Sequence, residues 1–388
     1  MPHDDIVIAG YAETPIVLRS GRSAYDLAGE AYSALLESTG LAPADIDGAS
    51  ISASISEAGN NFFASYLCEA LGLATTWLNA SNLGGASMVA GVGRAASAIR
   101  DGQCTTALVL AADAPSTRSR QIYGAYRPEF KDPAGAAPPP VVFGLLAQHY
   151  AHRHGLDPHA LGRIAMVQRH HARLNPNACP KLTAPLGMED YLASRMISSP
   201  LRLLDCAMYC DGANAVLVTS AGRARELGLD KTATLTAYAE ISNSWEPDAC
   251  PDLLENGFHR IAPRLYARSG LAPGRLHMAQ LYDDFTVAVL LQLEALGFCA
   301  AGSGPAFVLD TDLGFDGALP LNTGGGQLSC GQPGLAGGGV MLAEAVRQLF
   351  GEGGARQIPE ARNALVTGLG VLPYSPGWGT SAGLILQT

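Results

Sequence analysis

The chain has 388 residues, 48% of them hydrophobic and only 15% charged, with 25 Lys and Arg against 35 Asp and Glu. At about 150 residues per domain this is two or three domain-equivalents, enough to bury more than one core. The net charge of −10 and the lack of any basic run exclude nucleic acid as the main partner, and the apolar share excludes a disordered chain.

No charged segment leads into an apolar one at the N-terminus, and no apolar window reaches the roughly 18 residues that span a membrane. The eight cysteines include no C-x-x-C pair. Together these predict a cytoplasmic chain with free thiols and no metal site of its own.

In chain order, Ile6 to Ala9 reads as a strand, and a helix follows from the N-cap Ser23 with apolar residues at Leu27, Ala31 and Leu35. A strand at 49–52, a helix over 60–71, a strand at 77–80, a small-residue helix over 84–100 and a buried strand at 107–112 come next. Residues 114–204 break the alternation, with Pro138, Pro139 and Pro140 ahead of helices near 143–154 and 159–174, and read as an insertion. Regularity resumes at 213–219. The second half repeats the first, with strands at 232–241, 280–283, 364–367 and 384–386 and helices over 253–269, 285–296 and 340–350. The expected organisation is a duplicated α/β chain with parallel sheets covered on both faces: residues 1–225, insertion included, and residues 226–388.

By themselves, glycines such as Gly324, Gly325 and Gly326 before a helix mean either a phosphate cradle or a packing turn. The wider set of blocks is more specific. NTGGGQLSCGQPGLAGG (322–338) resembles the GHP-G-GG block of the thiolase superfamily. YDDFTVAVLLQLEALGFC (282–299) resembles the HDCF block of its sterol-carrier-type branch, and LRLLDCAMYCDGANAVLV (201–218) that branch's DGA strand. RHHARLNPNA (169–178) and MEDYLASRMISSPL (188–201) are similar to its loop-domain segments, and LNASNLGGAS (78–87) stands where the nucleophile helix begins. The resemblance covers nearly the whole chain. It implies a duplicated thiolase fold, five-layer αβαβα, with an inserted loop domain.

The departures from that pattern carry the functional reading. The family's nucleophilic cysteine falls at Asn82, its GHP histidine at Gln332, and its second cysteine in VTGLG (366–370), which has none. An amide neither attacks a thioester nor takes a proton at neutral pH, so acyl-enzyme chemistry is expected to be lost. Such sequences look like the thiolase-like steroid side-chain aldolases, also described as lipid-transfer proteins, in which a tyrosine opens the H-D-x-F block. That position is Tyr282. A second tyrosine is expected where Gln332 stands.

A retro-aldol cleavage needs a base at the β-hydroxyl and donors at the thioester oxygen, and no nucleophile. Tyr282, beside Asp283 and Asp284, is the expected proton-transfer group, and one of the two carboxyls is expected to cap the next helix. Asn82 and Gln332 are candidate amide donors, as is the backbone at Asn82 and Gly370; Gln332 equally well fills a vacated pocket. Tyr374, in LPYSPGWGTS, is either a second phenol or part of a surface or dimer loop. Gly325, Gly326, Gly331 and Gly370 are expected to contact the CoA thioester. Cys330 is the alternative nucleophile of a Claisen-type acyltransferase, and a non-catalytic scaffold is the other alternative. The resemblance implies the catalytic subunit of a heteromeric aldolase: a homodimer acting on a steroid acyl-CoA. CoA belongs to the substrate and no cofactor sits in this chain. Zinc belongs to a partner subunit with a zinc ribbon and an OB fold.

Overall fold

A computed structural model describes residues 5–118, 133, 135, 139–242, 252–370 and 378–388. Nine strands form its central sheet: β1 (Ile6–Glu13), β2 (Gly48–Ser52), β3 (Trp77–Ser81), β4 (Thr106–Asp113), β7 (Gly212–Ser220), β8 (Ala233–Ser242), β9 (Ala279–Gln280), β10 (Asn363–Leu369) and β11 (Thr380–Gln387). Their order is β3-β2-β4-β7-β1-β8-β11-β10-β9. A separate antiparallel pair, β5 (Met196–Ser198) and β6 (Leu201–Arg202), lies in the inserted region.

The pairing repeats. From β1 outward, β7 and β4 follow antiparallel and β2 parallel; from β8 outward, β11 and β10 follow antiparallel and β9 parallel. The sheet is therefore mixed, not parallel as expected. The physical reason is connection: a β-α-β crossover yields parallel neighbours, whereas β4 reaches β7 through the long insertion and β10 turns back into β11. Only Val7↔Thr234 and Ile8↔Ala233 join the two halves of the sheet.

The helices explain why so small a seam suffices. Helix α3 (Ser87–Arg100) touches β2, β4 and β7 on one side and β10 and β11 on the other, and α12 (Gly337–Leu349) touches β1, β7 and β10. These two small-residue helices are the middle layer. Helices α1 (Ala24–Thr39) and α2 (Phe63–Ala70) cover the outer face of one half-sheet and α8 (Gly257–Ser269) that of the other, completing αβαβα. α1 starts at the expected Ser23, whose hydroxyl accepts from the Asp26 N–H while the Asp26 carboxylate accepts from the Ser23 N–H. Leu27, Ala31 and Leu35 face the core.

The insertion supplies α4 (Pro140–His154), α5 (Pro158–Arg173) and α6 (Met188–Ala193). After it come α7 (Ala221–Glu226), α9 (Thr286–Ala295), α10 (Gly304–Asp310) and α11 (Gly326–Cys330). The last is a helical turn inside what the sequence reads as a glycine-rich turn, and the strand expected over 280–283 stops at Gln280. Among the described residues no helix is long and apolar enough to cross a membrane.

Candidate active site

The middle layer aims its helix ends at one place. Gly84 and Gly85 lie in a short turn (Gly84–Ala86) that leads into α3, and Gly334 and Leu335 lie in the matching turn (Gly334–Ala336) before α12. A Cβ on Gly338 would lie 2.1 Å from the Gly85 carbonyl oxygen, so glycine lets the two backbones meet. Around this junction a cavity of about 160 Å³ opens. Its walls include Ile55, Phe143, Phe285, Leu335 and Leu369, and its polar groups are Tyr282, Gln332, Asp284, Tyr209 and Cys206.

Tyr282 is positioned from its backbone. Its N–H donates to Thr367 Oγ1 (2.9 Å), and its carbonyl accepts from Gln292 Nε2 (2.7 Å). Thr367 Oγ1 in turn donates to Gln292 Oε1 (2.7 Å), closing a buried ring of bonds between β10 and α9. The side chain lies against Gly85, where a Cβ would come within 2.1–2.2 Å of the phenol. Gln332 Nε2 stands 3.5 Å from the Tyr282 hydroxyl, at the outer limit of a hydrogen bond.

Gln332 reaches that position through a backbone strip that the sequence does not announce. Its N–H donates to the Met208 carbonyl and its carbonyl accepts from the Cys210 N–H, both at 2.9 Å. The Ala207 N–H donates to the Asp284 carbonyl, also at 2.9 Å. Residues 206–210 thus tie the Tyr282 loop to the Gln332 loop and bring Tyr209 into the same cavity. The far wall is fixed by Asp113, whose buried carboxylate accepts from the N–H groups of Ile55 (2.7 Å), Ser56 (2.9 Å) and Leu335 (3.0 Å). α4 contributes Phe143, stacked on Phe285 with centroids 4.2 Å apart.

The two adjacent carboxyls have different surroundings. Asp283 is fully buried and accepts from the N–H groups of Gln327 (2.8 Å) and Leu328 (3.2 Å), so it holds the first turn of α11. Burial pushes its carboxyl up to about 7 despite those donors. Asp284 lines the cavity, and its Oδ1 is buried without a hydrogen-bond partner among the described residues. Burial first, and then the neighbouring Asp283 charge, raise it well above the usual carboxylate range. Neither carboxyl caps α9 as expected: its N-cap is Phe285, with no side-chain cap.

Other expected residues lie elsewhere. Asn82 is exposed and does not line the cavity, to which its segment contributes Gly84 and Gly85. Gly325, at φ +100°, packs on Ala172, Gly326 on the Asp283 carboxyl, and Gly331 on Ile16 and Cys210; none of the three is among the described residues lining the cavity. Gly370 does line the cavity, but its N–H donates to the Thr380 carbonyl (2.6 Å) and is no free oxyanion donor. Tyr374 lies outside the described residues.

No thiolate replaces the missing nucleophile among the described residues that line the cavity. Cys330 is buried away from the cavity, and its thiol is pushed well up by burial and by Glu13 and Glu344. Cys206 faces the cavity, but burial, Asp205 and Asp284 push it to about 12. The sequence reading missed Tyr209 and the apolar walls. Their only signal is long-range pairing, which one chain read linearly does not display.

Comparison with known proteins agrees with this geometry. Residues 239–377 match the thiolase C-terminal domain-like family. The chain is 34% identical over 366 residues to a 17-hydroxy-3-oxo-4-pregnene-20-carboxyl-CoA lyase of Mycobacterium tuberculosis, covering 89% of this chain and 91% of that one. It is 34% identical over 391 residues to a steroid side-chain-cleaving aldolase of Thermomonospora curvata, covering 94% and 95%. Among solved structures, an Ltp2-ChsH2(DUF35) aldolase superposes with a TM-score of 0.84 at 31% identity, over 99% of this chain and 98% of that one. The architecture is therefore the sterol-carrier-type thiolase-like fold. The chain belongs to the steroid side-chain-cleaving aldolases, carbon–carbon lyases built on that fold.

Proposed function

We propose that this chain cleaves a β-hydroxyacyl-CoA on a steroid side chain by a retro-aldol reaction, releasing a short acyl-CoA, propionyl- or acetyl-CoA, and a steroid ketone or aldehyde. One observation carries the reading: the cavity at the paired helix ends presents a phenol, an amide and a carboxyl, while its one thiol is held neutral. Those groups suit proton transfer and hydrogen bonding to oxygen, not acyl transfer. Tyr282 meets the β-hydroxyl and takes part in moving its proton. Gln332 orients the phenol, and the N-terminal ends of the turns before α3 and α12 favour the negative charge that builds on the thioester oxygen.

At about 160 Å³ the cavity is below the roughly 300–1,000 Å³ of sites that enclose a drug-sized ligand. The scissile carbons and thioester fill it, and the rings extend outward. A partner subunit with a zinc ribbon and an OB fold is the proposed cover, holding the zinc, with CoA entering only as part of the substrate. The solved relative that pairs Ltp2 with ChsH2 supports a partner subunit. The unpaired edge of β3, with Leu78, Phe62 and Tyr66 exposed nearby, is the proposed contact between two copies of the chain.

The test is release of short acyl-CoA from a 17-hydroxy steroid β-hydroxyacyl-CoA, with and without free CoA and partner. An aldolase releases product without free CoA, a thiolase requires it, and a scaffold releases none. Tyr282→Phe keeps the ring and removes the hydroxyl, and is expected to lower kcat about 10²–10⁴-fold with the fold intact. Near-full activity in that variant would remove Tyr282 from the chemistry.

A further inference from the structure

We propose that this chain binds a nucleoside phosphate at a second site, a cavity walled by α5, residues 185–187 and the loop over residues 312–316. The cavity measures about 560 Å³ and shares no lining residue with the one at Tyr282. That volume lies within the roughly 300–1,000 Å³ of sites that enclose a small ligand. Arg163, Arg169 and Arg173 recur on one side of α5, together with His170, so the helix brings three guanidiniums to the same wall.

Arg169 is the buried member of the three, at 8% exposure. Its Nε donates to Ser329 Oγ and its Nη1 to the Ala184 carbonyl, both at 3.2 Å, and both acceptors are neutral. Its Nη2 has no hydrogen-bond partner among the described residues and is not closed off from solvent. None of the three arginines forms an ion pair with a described residue. A guanidinium stays charged when buried, and its desolvation is costly unless an anion meets it. Burial accordingly pulls Arg169 below its ordinary range. A phosphate supplies the missing anion, and guanidiniums bind it through paired N–H donors.

Two carboxyls, Asp312 and Asp316, also line the cavity. Both are exposed, and Asp312 Oδ1 accepts from the Gly314 N–H at 3.0 Å. Water screens exposed carboxylates, so the buried guanidinium sets the sign of the charge held inside. The carboxyls are acceptors for sugar hydroxyls, the use that acidic side chains have in nucleotide sites. His170 and Phe315 complete the lining, with ring planes 10° apart and centroids 6.2 Å apart, and offer flat faces on which a base stacks. Phosphate, sugar hydroxyls and a planar base on one molecule make a nucleotide. The site does not depend on the reaction assigned at Tyr282.

The experiment is isothermal calorimetry of ADP with the full chain, in the assembly that gives wild-type activity and without substrate. Wild type is expected to bind ADP more tightly than adenosine or inorganic pyrophosphate, and a saturating steroid acyl-CoA is expected to leave that binding in place. Arg163→Gln and Arg173→Gln remove side chains that bond no described residue. Each is expected to weaken ADP about tenfold and to keep the circular dichroism of wild type. Arg169→Gln is expected to weaken it further; since Arg169 also holds Ser329, the other two variants carry the test if this one fails to fold. Absence of ADP binding to wild type overturns the site, as does affinity within about twofold of wild type in both Arg163→Gln and Arg173→Gln. Pyrophosphate bound as tightly as ADP overturns the nucleotide assignment. Displacement of ADP by the acyl-CoA overturns a site separate from that of the substrate.

Discussion

Gly85 sets where the phenol of Tyr282 lies. The ring occupies the space a Cβ would take, at 2.1 Å, so an added methyl displaces it toward the cavity it lines. Gly85→Ala therefore pushes the phenol off Gln332 and overpacks the junction of the middle helices. The expected result is a fall in melting temperature equivalent to about 1–3 kcal/mol and a loss of kcat approaching that of Tyr282→Phe. A scan of thermal unfolding beside the acyl-CoA assay checks both. Wild-type kcat in Gly85→Ala would show that the phenol need not sit there.

Asp283 acts at the level of the element. It satisfies two N–H groups at the start of α11, the turn that leads through Gly331 to Gln332. Its folded pKa, about 7, lies above the ordinary carboxylate value near 4 of an unfolded chain. Below about pH 4 both states hold the proton. Between about 4 and 7 the folded state keeps a proton that the unfolded state has lost, so this group's contribution falls as pH rises, and it levels off above about 7. His171 works in the opposite direction: burial lowers its folded pKa to about 4, so its contribution rises with pH up to its ordinary range. The informative quantity is thus the difference between Asp283→Asn and wild type. The variant loses an acceptor and is less stable at pH 5, and the deficit is expected to shrink by pH 8. Denaturant titrations at the two pH values measure this, and a constant deficit would mean that Asp283 is ionised throughout.

At the scale of the whole molecule, two half-sheets joined by two residue pairs are held by the helices between them and by a charge cluster against the central strand β1. Glu344 on α12 pairs with Arg347 (2.7 Å) and Arg356 (3.0 Å), and Arg347 reaches Glu13 on β1 at 2.6 Å. One edge of the sheet, β3, is unpaired among the described residues. Placing a charge there, as in Leu78→Arg, is expected to convert a dimer into monomers in light scattering while leaving the protomer's circular dichroism unchanged. An unaltered mass would move the proposed contact elsewhere. Because Gly84 follows β3 within a few residues, loss of the dimer is also expected to lower activity.

Local patterning in the sequence was enough for much of this protein. The apolar spacing from Ser23, the strand at the chain's start, the paired glycine-rich helices and the blocks around Tyr282 and Gln332 are short-range signals, and the structure puts these elements close to where they were expected. The absence of a cysteine or histidine at Asn82 and Gln332 likewise needs only the residue types. Strand direction and the inside of the cavity needed the tertiary structure. Antiparallel neighbours arise from how distant strands are connected, and Tyr209 joins Gln332 through a backbone strip more than a hundred residues away in the chain. Asp283 and Asp284 are the sharpest case. They are the same residue type at adjacent positions, yet one meets the N–H groups of α11 and the other opens on the cavity. Burial and partners, which come from segments remote in sequence, set a carboxyl's charge and task, and only the folded chain brings those segments together.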